Sequence, residues 1–202
     1  MKGIITIIIG YILILFDIPI VIKDYPMYEY SSKLGRIVQE NIISNYYGGQ
    51  LKLDVLSDII GYLLLMYGAI TLIKYSKRSL ISVLFNIVTC ILSVMTLFVP
   101  FYLQSDTLCI TALLLIISTF VCGLLGEYYL FTSIGKITNA KKNAHANNIM
   151  MLGWYASILC RVCMLFAQLY GLRYIELAYF IAYIGAATLF LVMIFKLRYD
   201  IK

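Results

Sequence analysis

Arg161 is the residue in this sequence whose position most demands a chemical explanation. It sits in Cys160-Arg161-Val162-Cys163, about eleven residues from either end of the apolar run 150–171. A guanidinium in such a run costs on the order of 2.5 to 3.5 kcal/mol on membrane-insertion scales, so it calls for a carboxylate or for water. Asp17, in the first apolar run, is the acid that the spacing selects. At a rise of about 1.5 Å per residue, Asp17 stands roughly 21 Å and Arg161 roughly 16 Å from the same end of their helices, a gap that an arginine side chain spans. On the same count Glu127 is about 10 Å too low, and Glu176 lies near the opposite edge. The expectation is an ion pair between Asp17 and Arg161 that ties the first helix to the fifth. Two roles stay open for it. It fixes helix register, or it forms a site for an anionic or proton-linked substrate, with Pro19 freeing backbone carbonyls to line a cavity.

Cys160 and Cys163 form a C-x-x-C, the spacing of redox dithiols, and the adjacent Arg161 favours the thiolate. Cysteine is also an ordinary small apolar residue in helices. The five cysteines all lie in or beside apolar segments, which does not describe a secreted disulfide framework. His145 is the only histidine. That excludes a His pair and a His-based zinc site of the usual composition, and it reads as a solvated residue of a polar loop over 139–148. The sequence contains no G-x-S-x-G nucleophile, no P-loop and no acidic phosphotransferase motif. Neither a catalytic residue nor a metal or other cofactor is assigned.

Such residues need helices to hold them, and the composition says in what solvent. Of 202 residues 62% are hydrophobic and 13% charged, against roughly half and a quarter in a soluble domain. A globule of this size still needs a polar exterior, and these charges are too few to provide one, so the lipid bilayer is the expected partner. The net charge of +6 is spread between apolar runs, with no basic stripe interleaved with exposed aromatics. Nucleic acid is therefore not an expected partner.

About 20 apolar residues cross the hydrocarbon core, and six stretches reach or approach that length: 3–22, 55–73, 79–103, 107–131, 150–171 and 174–197. The first resembles a signal peptide but is long enough to span and lacks a small-residue cleavage site, so it reads as a retained helix. A tight turn at Gln104, Ser105 and Asp106 makes the third and fourth a hairpin. With the N-terminus inside, inner segments hold ten Lys and Arg residues and outer segments five. The positive-inside rule then places both termini on the cytoplasmic face of the cell membrane.

The long outer segment carries Leu34, Ile37, Val38 and Ile42 on one helical face, flanked by tyrosines. It reads as an amphipathic helix over 31–47, lying on the membrane or capping the bundle. Ile8-Ile9-Gly10-Tyr11 recurs as Ile59-Ile60-Gly61-Tyr62, a pattern that chance produces easily and that an inverted repeat of the transporter kind would also produce. Thr119 and Gly123, and Ala178, Ala182 and Ala186, repeat every four residues. Small residues at that interval let helices approach, so both sets are expected to pack the bundle.

The segment Leu53-Asp54-Val55-Leu56-Ser57-Asp58-Ile59-Ile60-Gly61-Tyr62-Leu63-Leu64 resembles a recurring I-D-I-L-P-D-F-I-G-Y-I-L segment of small uncharacterised multi-pass membrane proteins of low-GC Gram-positive bacteria. The resemblance covers about the first third of the chain. Ser57 replaces the usual proline. It implies a membrane location and no known activity. Asp54, Ser57 and Asp58 suit the start of the second helix, where acids and short polar side chains complement the exposed amides.

The sequence thus predicts an all-α single domain over 1–202, a six-helix membrane bundle. Two function classes stay open. One is a non-enzymatic accessory or regulatory component acting through a protein partner or as a homo-oligomer. The other is a small transporter or channel-like protein with its site at Asp17 and Arg161.

Overall fold

The computed structural model describes residues 2–15, 21–24, 50–52, 54–102, 105–139, 144–169 and 172–197. Six helices carry the described chain: α1 (Lys2–Leu15), α2 (Asp54–Leu72), α3 (Arg78–Tyr102), α4 (Ser105–Asn139), α5 (Ala144–Leu169) and α6 (Arg173–Leu197). Each corresponds to one apolar run of the sequence, with shifted ends. The fold is not purely helical. The first run continues past α1 into a strand, β1 (Val21–Asp24), which pairs antiparallel with β2 (Gln50–Lys52) in the register Val21 to Lys52 and Asp24 to Gln50. Val21 and Ile22 are β-branched and suit an extended chain as readily as a helix end. The expected amphipathic helix over 31–47 lies outside the described residues.

Among the described residues three helices are long and apolar enough to cross a membrane, over Arg78–Thr96, Leu114–Thr138 and Tyr174–Leu197, and Gly3–Ile14 and Asp58–Leu72 are shorter apolar helices. The clearest evidence of the solvent is α3. Its deeply buried positions are Ser79, Ser82, Asn86, Thr89 and Ser93, all polar, at spacings of three and four. Its outward positions include Leu80, Ile81, Leu84, Ile87, Val88, Ile91, Val94 and Met95. A water-soluble amphipathic helix turns its apolar stripe inward; α3 is turned the other way. In lipid that arrangement is favourable, because small polar side chains bond across helix interfaces and the apolar face meets acyl chains.

The helices pair as three hairpins, α1–α2, α3–α4 and α5–α6, with α2 also packed on α3. In the first hairpin two glycines meet. A Cβ on Gly10 would stand 2.7 Å from the Gly61 carbonyl oxygen, and one on Gly61 would stand 2.8 Å from the Gly10 carbonyl oxygen. The repeated Ile-Ile-Gly-Tyr thus puts its own two glycines in reciprocal contact at the crossing. In the second hairpin Ser82 donates to the Gly126 carbonyl at 2.8 Å, Ser76 and Ser133 hydroxyls meet at 3.4 Å, and Phe85 stacks on Tyr129.

An aromatic knot joins α1, α4, α5 and α6. Phe131 packs edge-on against Phe190 at 4.5 Å between ring centroids and against Trp154 at 6.0 Å, while Tyr11 lies 4.9 Å from Phe190. Toward the end where α1, α3 and α5 begin, the core continues with Ile4, Leu72, Ile134, Met150, Ile194 and Leu197, all buried.

Candidate functional site

One tier above the aromatic knot sits an ion pair. Glu127, on α4, is wholly buried, and Arg161, on α5, keeps 14% of its side-chain surface exposed. Arg161 Nη1 donates to Glu127 Oε1 at 3.0 Å and Nη2 donates to Oε2 at 2.6 Å, a two-pronged pairing of guanidinium and carboxylate. The Trp154 indole N–H also donates to Oε2, at 2.8 Å. Trp154, Ser157 and Arg161 follow at spacings of three and four, so one face of α5 carries all three. Ser157 donates to the Trp154 carbonyl at 2.7 Å, and its hydroxyl meets Tyr11 Oη at 3.3 Å. Because the serine proton is committed to the carbonyl, Tyr11 is the donor in the second contact.

The Tyr183 ring lies 5.9 Å from the guanidinium carbon, within cation–π range. The buried Tyr62 hydroxyl rests on Gly123, where an added Cβ would stand 2.6 Å from it. Tyrosines from α1, α2 and α6 thus surround a pair supplied by α4 and α5. Within the pair the carboxylate and the guanidinium cancel. Among the described residues one polar atom of the pair has no hydrogen-bond partner, the buried Nε of Arg161.

Among the described residues the acid paired with Arg161 is Glu127, which the spacing had placed too low. Glu127 was excluded by counting from the ends of apolar runs, whereas α4 runs on to Asn139 and α5 starts at Ala144. Measured from those ends, Glu127 is 12 residues deep and Arg161 is 17 (139 − 127 and 161 − 144). The offset is about 7.5 Å at 1.5 Å per residue, and two extended side chains close it. Asp17 itself lies outside the described residues. Trp154 and Glu127 are the residues that sequence reasoning missed. The signal was available as an N–H donor, Trp154, two turns before the arginine on the same face.

Cys160 and Cys163 flank Arg161 as half-buried free thiols. His145 belongs to the first turn of α5, where it is exposed, and not to a loop. Among the described residues no three His, Cys, Asp or Glu side chains are grouped to hold a metal. Gly123 lies against the Tyr62 side chain of α2, while the neighbouring Thr119 hydroxyl is buried without a partner among the described residues. The alanine set of α6 is placed otherwise. Ala178 and Ala182 face outward and Ala186 is half-buried, and nothing lies within 4 Å of a Cβ built on Gly185. The packed face of α6 is Tyr183, Ala187, Phe190, Ile194 and Leu197, where mostly bulky side chains fill the space against the neighbouring helices.

No family model, curated protein or solved structure matches the chain.

Proposed function

We propose that the chain is a multi-pass protein of the cell membrane whose six helices all lie in the bilayer, with both termini cytoplasmic. In this reading it is a non-enzymatic accessory or regulatory component that works through a protein partner or through self-association. The inverted amphipathicity of α3 supports the membrane setting. The observation that carries the functional reading is how Glu127 is held: both carboxylate oxygens accept from donors on a single neighbouring helix. Held by three bonds from α5, the carboxylate is fixed in place as a structural clamp rather than presented to a reacting group. Its work is to hold α4 and α5 in one register, which is the best-attested use of a buried ion pair.

A second reading, a small transporter, draws on a different observation. Arg161 keeps a buried N–H without an acceptor, and Tyr11, Tyr62 and Tyr183 surround the pair. An anionic substrate entering from the exposed side of Arg161 would find a donor waiting.

The two readings differ in whether water reaches the tier, and Cys160 and Cys163 bracket it. With Cys90, Cys109 and Cys122 replaced by alanine or serine, a small membrane-impermeant thiol reagent reports access directly. The accessory reading expects modification only after denaturation. Rapid modification of the folded protein would favour the transporter.

A further inference from the structure

Apart from Glu127 and Arg161, the charges of the described residues sit at the two ends of the bundle, and the two ends differ. At the end where α1, α3 and α5 begin stand Lys2, Lys74, Lys77, Arg78, Lys136 and Lys196, with no acid among the described residues there. At the other end Asp24, Asp54, Asp58, Asp106 and Glu176 outnumber Lys23, Lys52 and Arg173. The fold gathers four of the first group. The meeting of Ser76 with Ser133 at 3.4 Å brings the α2–α3 turn, which carries Lys74, Lys77 and Arg78, against the last turns of α4, which carry Lys136. All four are exposed, as is Tyr75, whose ring lies 4.6 Å from Lys74 Nζ.

From this we infer that the α2–α3 turn and the end of α4 form a docking surface for the phosphate headgroups of anionic lipid. Three observations converge on that occupant. The surface is cationic, and no acid stands at that end among the described residues. The apolar outward face of α3 begins immediately beside it with Leu80 and Ile81, so the cations stand where acyl chains give way to headgroups. An exposed tyrosine marks the same level, the depth at which its amphipathic ring is favoured. A lysine or arginine at an anionic surface contributes about 1 kcal/mol, so four together distinguish anionic from neutral lipid. The inference rests on the membrane reading above, whichever side of the membrane this end occupies.

The test uses the full chain reconstituted into phosphatidylcholine vesicles with and without phosphatidylglycerol. Selectivity is read from the association of spin-labelled phosphatidylglycerol relative to spin-labelled phosphatidylcholine. The wild-type chain is expected to prefer phosphatidylglycerol. Each of Lys74→Gln, Lys77→Gln, Arg78→Gln and Lys136→Gln is expected to weaken that preference up to about fivefold, and about 1 M salt to weaken it in the wild type. The charge-preserving Lys77→Arg and Lys136→Arg should keep it, which separates lost charge from lost fold. Equal association of the two lipids with the wild type, or an unchanged preference in the combined glutamine variant, would overturn the proposal. So would soluble glycerol phosphate competing as well as the lipid does. Failure of the chain to float with vesicles at all would overturn the membrane reading instead.

Discussion

Trp154 and Arg161 donate to the same oxygen, Oε2 of Glu127, at 2.8 and 2.6 Å. They lie two helical turns apart on one face of α5, so a single carboxylate on α4 fixes that face in both rotation and depth. Trp154 is also the only tryptophan in the chain, which makes its fluorescence a reporter of this one junction.

Removing one member of the pair leaves the other charged and buried. Glu127→Gln is therefore expected to destabilise the protein by about 3–5 kcal/mol, and Arg161→Met similarly, while the double variant recovers much of the loss. Thermal unfolding in detergent, followed by Trp154 emission, measures all three. Losses that simply add in the double variant would show that the two side chains do not act as a pair.

Trp154→Phe removes the indole bond while keeping an aromatic ring at the junction. Phenylalanine keeps one aromatic ring near Phe131 but removes the N–H and part of the bicyclic ring, so the cost of a small cavity adds to that of the lost bond. Loss of a hydrogen bond to a charged group predicts a cost of about 1.5–3 kcal/mol, here reduced by the two bonds from Arg161 that Glu127 keeps. Unfolding followed by circular dichroism checks it, since the fluorophore is gone; a variant as stable as the wild type would mean that the indole bond contributes nothing.

How much of this was legible in the sequence depends on what each residue reports. The six apolar runs located the helices, and Arg161 stood out because a cation in such a run has few explanations. Helix length was not legible. Hydrophobicity ends where lipid ends, but hydrogen bonding carried α4 through Lys136 to Asn139 and began α5 at Ala144, and that difference moved Glu127 into reach. The inward polar stripe of α3 was written plainly in Ser79, Ser82, Asn86, Thr89 and Ser93. Reading it required knowing which face α4 covers. The α6 alanines misled for the converse reason: small residues permit close approach but do not compel it, and the bulky face won.

The first hairpin and the last helix give a matched pair of glycine tests. At Gly10 a methyl group would press on the backbone carbonyl of Gly61, which no rotamer change relieves, whereas at Gly185 it would meet nothing within 4 Å. Gly10→Ala is expected to cost about 1–3 kcal/mol, as overpacking does. Gly185→Ala should be neutral or slightly stabilising, since alanine is the better helix former. Equal effects at the two sites would contradict the close crossing of α1 and α2.

The orientation of α3 makes the sharpest prediction about solvent. Leu84 is 56% exposed on its outward face, and Ser82, two residues away, is wholly buried against Gly126. In a water-soluble protein Leu84→Lys would be harmless and Ser82→Ala the more damaging change. In a bilayer the order reverses: a lysine costs about 2.5–3.5 kcal/mol of insertion at a helix centre and less six residues in, where Leu84 stands, while a hydrogen bond between membrane helices averages about 0.6 kcal/mol. Membrane-fraction yield of the two variants decides between these solvents, and a Leu84→Lys chain that inserts as fully as Ser82→Ala would mean that this face of α3 does not meet lipid.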